Sequence, residues 1–349
     1  MKPKKHRLLV IGPTLGVYGG MEAFMITVAE AALEWPEFEV RLCFKLVKGC
    51  TVRDNLKRAA ESNVKRVDYV ERSSLQLLKT IAWCNIIHIQ NTPPDIIFPA
   101  KLMGKKLFLT IHNWRRTEKN IHNVLWGYAA QLADRRWYNS RFVWDTWEPQ
   151  EKSSRSDAFP TVSEFPNGWC EPEKRIGFIF LGRWIENKGI EEILRAYALN
   201  DFDTKEYPLT LLGDGPLRPL VLELIEELGL QGINLPGFVD VKTKEQLLTS
   251  SKWLLSPANT KEDMGLTPIE ARSVGVPAIV TQDGGLPEAG GESALIAIPG
   301  DVNDLAKCMR IAVEMDKVEY RNRAIKAKES LKNYLRPIDF YRNAFLEKI

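Results

Sequence analysis

The chain reads as an α/β protein built from two doubly wound domains. Three observations lead there. In both halves, short apolar segments alternate with segments of helical period, which implies parallel sheets covered by helices on both faces. A run of turn formers, Phe159-Pro160-Thr161-Val162-Ser163-Glu164-Phe165-Pro166-Asn167-Gly168, interrupts this pattern near the middle. Gly-rich or charged loops stand at strand ends, the places where open α/β sheets bind ligands. A length of 349 residues suits two domains of ordinary size.

The elements follow in order. Residues 7–11 are an apolar strand, 12–20 a Gly-rich loop and 21–33 a helix with Phe24, Val28 and Ala31 at helical spacing. Residues 38–44 alternate as a strand, 54–61 and 73–81 read as helices, and 85–89 and 106–111 as strands. From 134 to 169 the pattern loosens, and the linker is expected at 159–168. The second half resumes with strands at 177–181, 209–212, 233–235, 253–255 and 278–281. Helices are expected at 190–199, 217–228, 243–250, 267–274 and 302–315. Residues 321–334 and 338–346 form a helical tail. The expected boundaries are thus 1–168, 169–330 and a terminal segment 331–349.

Two loops of the second half carry the chemistry. The segment Leu181-Gly182-Arg183-Trp184-Ile185-Glu186-Asn187-Lys188-Gly189 runs from a strand into a helix and holds two cations. Free N–H groups, a helix dipole and cations together favour phosphate. In Glu262-Asp263-Met264-Gly265-Leu266-Thr267-Pro268-Ile269-Glu270, two carboxylates flank a Gly and a helix start. Thr267 is expected as N-cap with Pro268 at N1 and Glu270 at N3, a capping-box pattern that would by itself explain Glu270. Glu262 has no helix to cap. Gly213-Asp214-Gly215 lacks the third Gly of a dinucleotide fingerprint and is weak alone.

Together these residues resemble a family. Gly182-Arg183 with Lys188-Gly189, then Gly213-Asp214-Gly215-Pro216, Gly237-Phe238-Val239 and Glu-x7-Glu, is similar to the ordered pattern of retaining glycosyltransferase family 4. Gly19-Gly20 before a helix and Leu109-Thr110-Ile111-His112-Asn113 at a strand end extend the resemblance over nearly the whole chain. The resemblance implies two Rossmann-like domains facing a cleft (the GT-B fold), a nucleoside diphosphate sugar as donor, and no metal ion or cofactor. It also implies a C-terminal helix crossing back to the first domain, which would be the acceptor side. In this reading Glu262 contacts the donor sugar, Glu270 the ribose hydroxyls, and Arg183 and Lys188 the diphosphate. Gly182, Gly213 and Gly215 lie near the nucleotide, and Phe238 and Val239 line the base. Met264, Gly265 and Leu266 approach the donor, though Met264 replaces an aromatic common in the family. Gly19, Gly20 and His112 contribute from the first half, His112 near the reacting sugar.

The bland alternatives stay beside this reading. His112 fits a satisfied core-edge histidine, Gly19-Gly20 a plain turn, and Arg183 and Lys188 surface cations. His88, within an apolar strand, reads as structural, and Asp201-Phe202-Asp203 as a surface loop. A sugar-nucleotide epimerase, a glycosyl phosphorylase or a catalytically vestigial assembly partner could use the same scaffold. A P-loop nucleotidase is excluded, because G-x-x-x-x-G-K-[ST] is absent.

Composition bounds the setting. Apolar residues make 44% and charged residues 27%, values of a soluble globular protein. No apolar run reaches the roughly 18 residues needed to span a bilayer. Five scattered cysteines, never C-x-x-C, point to reduced thiols, a cytoplasmic setting and no structural zinc. Residues 1–168 carry 25 Lys+Arg against 17 Asp+Glu, a balance of +8, and the remainder 23 against 28, a balance of −5. The basic half, with Trp114, Trp126, Trp137, Trp144 and Trp147 interleaved with arginines, reads as ordinary packing and solvated surface or as a peripheral contact with anionic membrane. Nucleic acid is not expected, since no nucleic-acid-binding signature appears. The acceptor would be a glycan, a lipid, a lipid-linked oligosaccharide or a small molecule, with cell-surface polysaccharide or glycolipid assembly as the expected setting.

Overall fold

The computed structural model describes residues 5–118, 120–161 and 165–347. The chain divides into two compact units: Met1–Ser163 with Arg336–Ile349, and Glu164–Leu335. The division leaves residues 331–335 with the second unit and gives only the last fourteen positions to the first. Part of the expected linker, residues 162–164, lies outside the described residues.

The first unit holds β1 (His6–Thr14), α1 (Gly20–Glu34), β2 (Phe38–Leu46), α2 (Asp54–Asn63), β3 (Val67–Glu71), α3 (Leu75–Trp83) and β4 (Ile86–Gln90). After these come α4 (Pro94–Leu102), β5 (Lys106–Ile111), α5 (Ile121–Gln131), β6 (Arg135–Tyr138), α6 (Arg141–Trp147) and β7 (Ser156–Ala158). Its seven strands are parallel in the order β3-β2-β1-β4-β5-β6-β7. The sheet is buried on both faces, which is why β1 reads Leu8-Leu9-Val10-Ile11 without a polar break. Leu8 and Val10 join the core under α1, with Phe24 and Phe44. Leu9 and Ile11 join the core on the opposite face, with Leu77, Ile97 and Ala129.

The region 134–169, expected to be loose, contains β6, α6 and β7. Their signal is hidden because β6 is four residues long and begins Arg135-Arg136. Arg136 is buried against Glu148 at 2.8 Å. The Glu148 carboxylate also accepts from Tyr138, Trp144, Ser156 and the Ser153 N–H. Burial alone would raise the Glu148 pKa, but these hydrogen bonds and Arg136 hold it down at about 2.

The second unit runs β8 (Ile176–Leu181), α7 (Ile190–Ala198), β9 (Leu209–Leu212), α8 (Arg218–Glu227), β10 (Ile233–Gly237), α9 (Val241–Ser250) and β11 (Ser251–Ser256). It continues with α10 (Leu266–Ser273), β12 (Ala278–Thr281), α11 (Leu286–Gly290), β13 (Leu295–Ala297), α12 (Val302–Glu314) and α13 (Lys317–Tyr334). Its six parallel strands lie in the order β10-β9-β8-β11-β12-β13. Phe178 and Phe180 of β8 face one core, Ile179 and Leu181 the other.

The last helix, α14 (Asp339–Leu346), packs with the first unit. Tyr341 and Phe345 are buried beside Phe24, Trp137, Phe108 and Phe38, each contributing about 1.5–3 kcal/mol by area. Arg342 and Glu37 form a two-pronged pair with a shortest contact of 2.6 Å, and Trp35 donates to Asp339 at 3.2 Å.

Candidate active site

In the second sheet the strand order reverses between β8 and β11. The loops that leave these two strands diverge onto opposite faces and open a crevice at the strand ends. Those loops are 182–189 and 257–265, the two stretches that carry the charged residues. Several contacts join them. The N–H of Asn259 donates to Asn187 O at 3.0 Å. A Cβ on Gly189, which has φ +81°, would lie 2.3 Å from Pro257 O, so only Gly fits there. Lys188 and Glu262 form an ion pair across the gap, with side chains 26% and 25% exposed. Arg183 is exposed in the same loop, and its guanidinium has no partner among the described residues.

Glu262 is held from below by Asp283, which follows β12. The Asp283 carboxylate accepts from the N–H groups of Lys261 and Glu262 at 3.0 and 2.9 Å. The Gly285 N–H donates to Glu262 O at 2.7 Å. A Cβ on Gly284 would sit 2.1 Å from that same oxygen, so the backbones touch. Lys261 takes φ +58°, a costly conformation for a side chain that long. The clamp therefore holds a strained loop in the position that presents Glu262.

The helix after this loop starts two residues earlier than expected. The N-cap of α10 is Gly265 at φ +82°, with no side-chain cap, so Thr267 is N2 and Glu270 is N5. The capping-box explanation of Glu270 fails for this reason: the box needs the acid at N3, and N3 here is Pro268. Gly265 takes the left-handed conformation that ends the loop, and its missing Cβ also clears Ala289 and Leu286. Leu266 becomes the first helical residue, and Met264 lies in the loop before it. Glu270 is instead buried and paired with Lys244 of α9 at 3.0 Å.

The glycine motif has a packing role. A Cβ on Gly213, at φ +116°, would come 1.9 Å from Gly182 O, and one on Gly215 2.4 Å from Trp184 O. The Trp184 N–H donates to Asp214 O, and the Gly213 N–H to Gly237 O, both at 3.0 Å. These glycines let the loops after β8, β9 and β10 lie backbone on backbone. Phe238, just past β10, is 78% exposed, while Val239 packs on the core of the α10 face. Among the described residues no group of three or more His, Cys, Asp or Glu is placed to share a metal ion.

Residues 162–331 match the family described as glycosyl transferases group 1. The second unit is a glycosyl transferases group 1 domain. Over 168 residues, 47% of its length, the chain is 30% identical to the N-acetyl-alpha-D-glucosaminyl L-malate synthase of Bacillus anthracis. Over 157 residues, 44% of the chain, it is 29% identical to the O-antigen chain mannosyltransferase B of Escherichia coli. The matched stretch spans about two fifths of each relative, 42% and 39%. The crystal structure of Anabaena HepE in complex with UDP superposes with a TM-score of 0.80 at 15% identity, over 97% of this chain and 99% of that one. At that identity the likeness carries the fold alone, and the fold is GT-B.

In the group 1 domain, then, Lys188 and Glu262 come together directly, Arg183 lies in the loop of Lys188, and Glu270 is paired with Lys244 instead. Asp283 was not anticipated as a contributor, because its two partners lie 21 and 22 positions upstream. The Gly284-Gly285 pair beside it was the one local signal, a mark of close backbone approach.

The first unit has a reversal of its own, between β1 and β4. Gly19 is the N-cap of α1, and Gly20 has open space where a side chain would go. Glu22, buried and bonded to the Thr14 hydroxyl at 2.8 Å, places a carboxylate at this helix start. That carboxylate lies in the first turn of α1, where it balances the positive end of the helix dipole. His112 follows β5, its Nε2 2.9 Å from Gln90 Oε1 and its Nδ1 3.4 Å from Thr161 Oγ1. Burial lowers its pKa to about 4, and that of His88 to about 3, so both rings are neutral at pH 7. His88 bonds Thr110 at 2.7 Å in the core. Most of the Trp–Arg cluster is packing: Trp137 stacks on Phe108, Trp144 on Tyr138, and Trp114 and Trp147 flank the core.

Proposed function

We propose that this chain transfers a sugar from a nucleoside diphosphate sugar to an acceptor hydroxyl, with retention at the anomeric carbon. The observation that carries the reading is the Lys188–Glu262 pair across the β8/β11 crevice, with the Arg183 guanidinium, unpaired among the described residues, in the loop of Lys188. Support comes from Anabaena HepE, whose structures hold UDP and UDP-glucose. In the reaction Arg183 and Lys188 take the charge of the departing diphosphate, a term worth several kcal/mol in a partly dry site. Their role needs no metal ion. The uncapped start of α10 adds backbone N–H groups and a positive dipole end.

Glu262 contacts the sugar hydroxyls and orients the ring. Glu270 meets the ribose, with Lys244 holding its carboxylate. The incoming hydroxyl attacks from the face the diphosphate leaves, and a leaving phosphate oxygen takes its proton. His112, neutral, serves as a hydrogen-bonding wall rather than a charge. The acceptor is a glycan or a lipid-linked glycan of surface polysaccharide or glycolipid assembly, a class in keeping with the O-antigen chain for which the E. coli relative is named.

The test is a panel of nucleotide sugars scanned by thermal shift, then turnover with the stabilising donor and candidate acceptors. The expected result is release of nucleoside diphosphate only with acceptor present, and a product of unchanged anomeric configuration by proton NMR. No nucleotide binding, acceptor-independent conversion of the donor, or an inverted product overturns the proposal.

A further inference from the structure

His112 is held by its main chain and its ring together. Its N–H donates to Asn91 Oδ1, and its carbonyl accepts from Asn139 Nδ2, each at 2.9 Å. Asn91 follows β4 and Asn139 follows β6, the two neighbours of β5 in the sheet. The Asn91 N–H also donates to Thr110 O at 2.7 Å, and the Asn139 N–H to Ile111 O at 3.2 Å. The two asparagines thus carry the pairing of β5 one residue past its end, from either side. Asn91 takes φ +57° there, a conformation that Asn tolerates better than most side chains.

The ring is held by Gln90, the last residue of β4. Gln90 Oε1 lies 2.9 Å from Nε2, a normal N–H···O distance. On the other ring nitrogen, Thr161 Oγ1 stands at 3.4 Å, beyond that range. Gln90 is buried, and its amide nitrogen has no partner among the described residues. Its room comes from β1, where a Cβ on Gly12 would lie 2.8 Å from Gln90 Cβ. A buried amide satisfied at one end only is costly, and the end satisfied here faces the His112 ring.

A neutral imidazole carries one proton, and the partner of one nitrogen sets which of the two holds it. We propose that Gln90 is a positioning residue: its oxygen keeps the His112 proton on Nε2, so that Nδ1 is offered bare, as an acceptor for a sugar hydroxyl. The asparagines fix the backbone, and Gln90 fixes the ring and its tautomer. The identity of the hydroxyl rests on the sugar-transfer reading; the tautomer rests on these contacts.

The test labels the imidazole nitrogens of the four histidines and records proton–nitrogen correlation spectra of the full chain at neutral pH, beside turnover. The His112 signals, identified by their loss in His112→Gln, should show a protonated Nε2 and a bare Nδ1. Gln90→Met keeps the length and drops the oxygen. Its His112 ring should become a mixture of tautomers, while the His88 tautomer stays as it was. Its kcat should fall about tenfold. Affinity for nucleoside diphosphate, whose proposed residues lie in the second unit, should change by less than about threefold. On a His112→Ala background the same substitution should cost nothing further, because Gln90 acts through the ring. A wild-type ring with its proton on Nδ1 overturns the proposal, since the amide would then donate. So does a Gln90→Met ring that keeps a pure Nε2 proton, or a full further loss on the His112→Ala background. The wild-type spectrum decides the tautomer even if Gln90→Met fails to fold. If no donor turns over, the sugar-transfer reading falls, and the ring spectra still decide for or against Gln90.

Discussion

Replacing Glu262 by Ala should strengthen the binding of free nucleoside diphosphate while nearly abolishing transfer. The sign follows from the ion pair. In the empty site Lys188 is neutralised by Glu262, so a diphosphate arriving there meets a cation and an anion together. At an effective dielectric of about 20, unit charges at about 4 Å interact by about 4 kcal/mol. The two side chains are about a quarter exposed, and solvent screening cuts the net value of such pairs to about 1 kcal/mol. Removing the anion frees Lys188 and relieves repulsion of a similar size, so affinity should rise about fivefold. Lys188→Ala removes the charge-assisted phosphate contact, about 1.5–3 kcal/mol, and leaves Glu262 unpaired, so affinity should fall by at least tenfold. Transfer by Glu262→Ala should drop by at least about a hundredfold, because sugar orientation is lost. The assay is titration calorimetry with the nucleoside diphosphate that best stabilises the wild type, at low and high salt, beside steady-state turnover. Weaker diphosphate binding by Glu262→Ala, or wild-type turnover, would refute the reasoning.

Other outcomes follow from the same geometry. Asp283→Ala should release the loop 261–265, cutting turnover at least tenfold while nucleoside diphosphate affinity changes less than threefold, because two charge-assisted N–H contacts are lost at once; equal loss in both measurements would show mere unfolding of the site. Arg183→Ala should weaken donor and nucleoside diphosphate more than free nucleoside, which calorimetry with all three would check. Gly213→Ala should cost at least about 3 kcal/mol of stability in urea melts, since φ +116° and a Cβ 1.9 Å from Gly182 O leave no relaxed arrangement. Acid should destabilise the first unit in two windows. His88 and His112 have lowered folded pKa values, about 3 and 4, so the unfolded chain binds the extra protons. Stability is complete above about pH 6.5 and falls towards those values, at most about 1.4 kcal/mol per pH unit for each ring. Glu148, held at about 2, contributes stability that is present above about pH 4.5 and lost as pH falls through 2. Chemical melts from pH 7 to pH 3 check this, and flat stability above pH 4 would contradict the histidine assignments.

What local sequence determined here is what local sequence can encode. The doubly wound class follows from apolar runs such as Leu8–Ile11 and Ile86–Ile89, because a strand buried on both faces needs no polar alternation. The loops bearing Arg183, Lys188 and Glu262 stood at strand ends, so their place at a crevice mouth followed from topology rules alone. Short elements were not legible. The signal of β6 is masked by Arg136, whose burial makes sense only once Glu148, twelve positions on, is seen beside it. The start of α10 at Gly265 rather than Thr267 was decided by a left-handed turn fitted against Ala289 and Leu286. Long-range contacts decided the rest. Lys188 meets Glu262 across 74 positions, and Asp283 holds Glu262 across 21. Periodicity and capping rules act within a few turns of chain; ion pairs and backbone clamps act through space, and only tertiary packing brings their partners together.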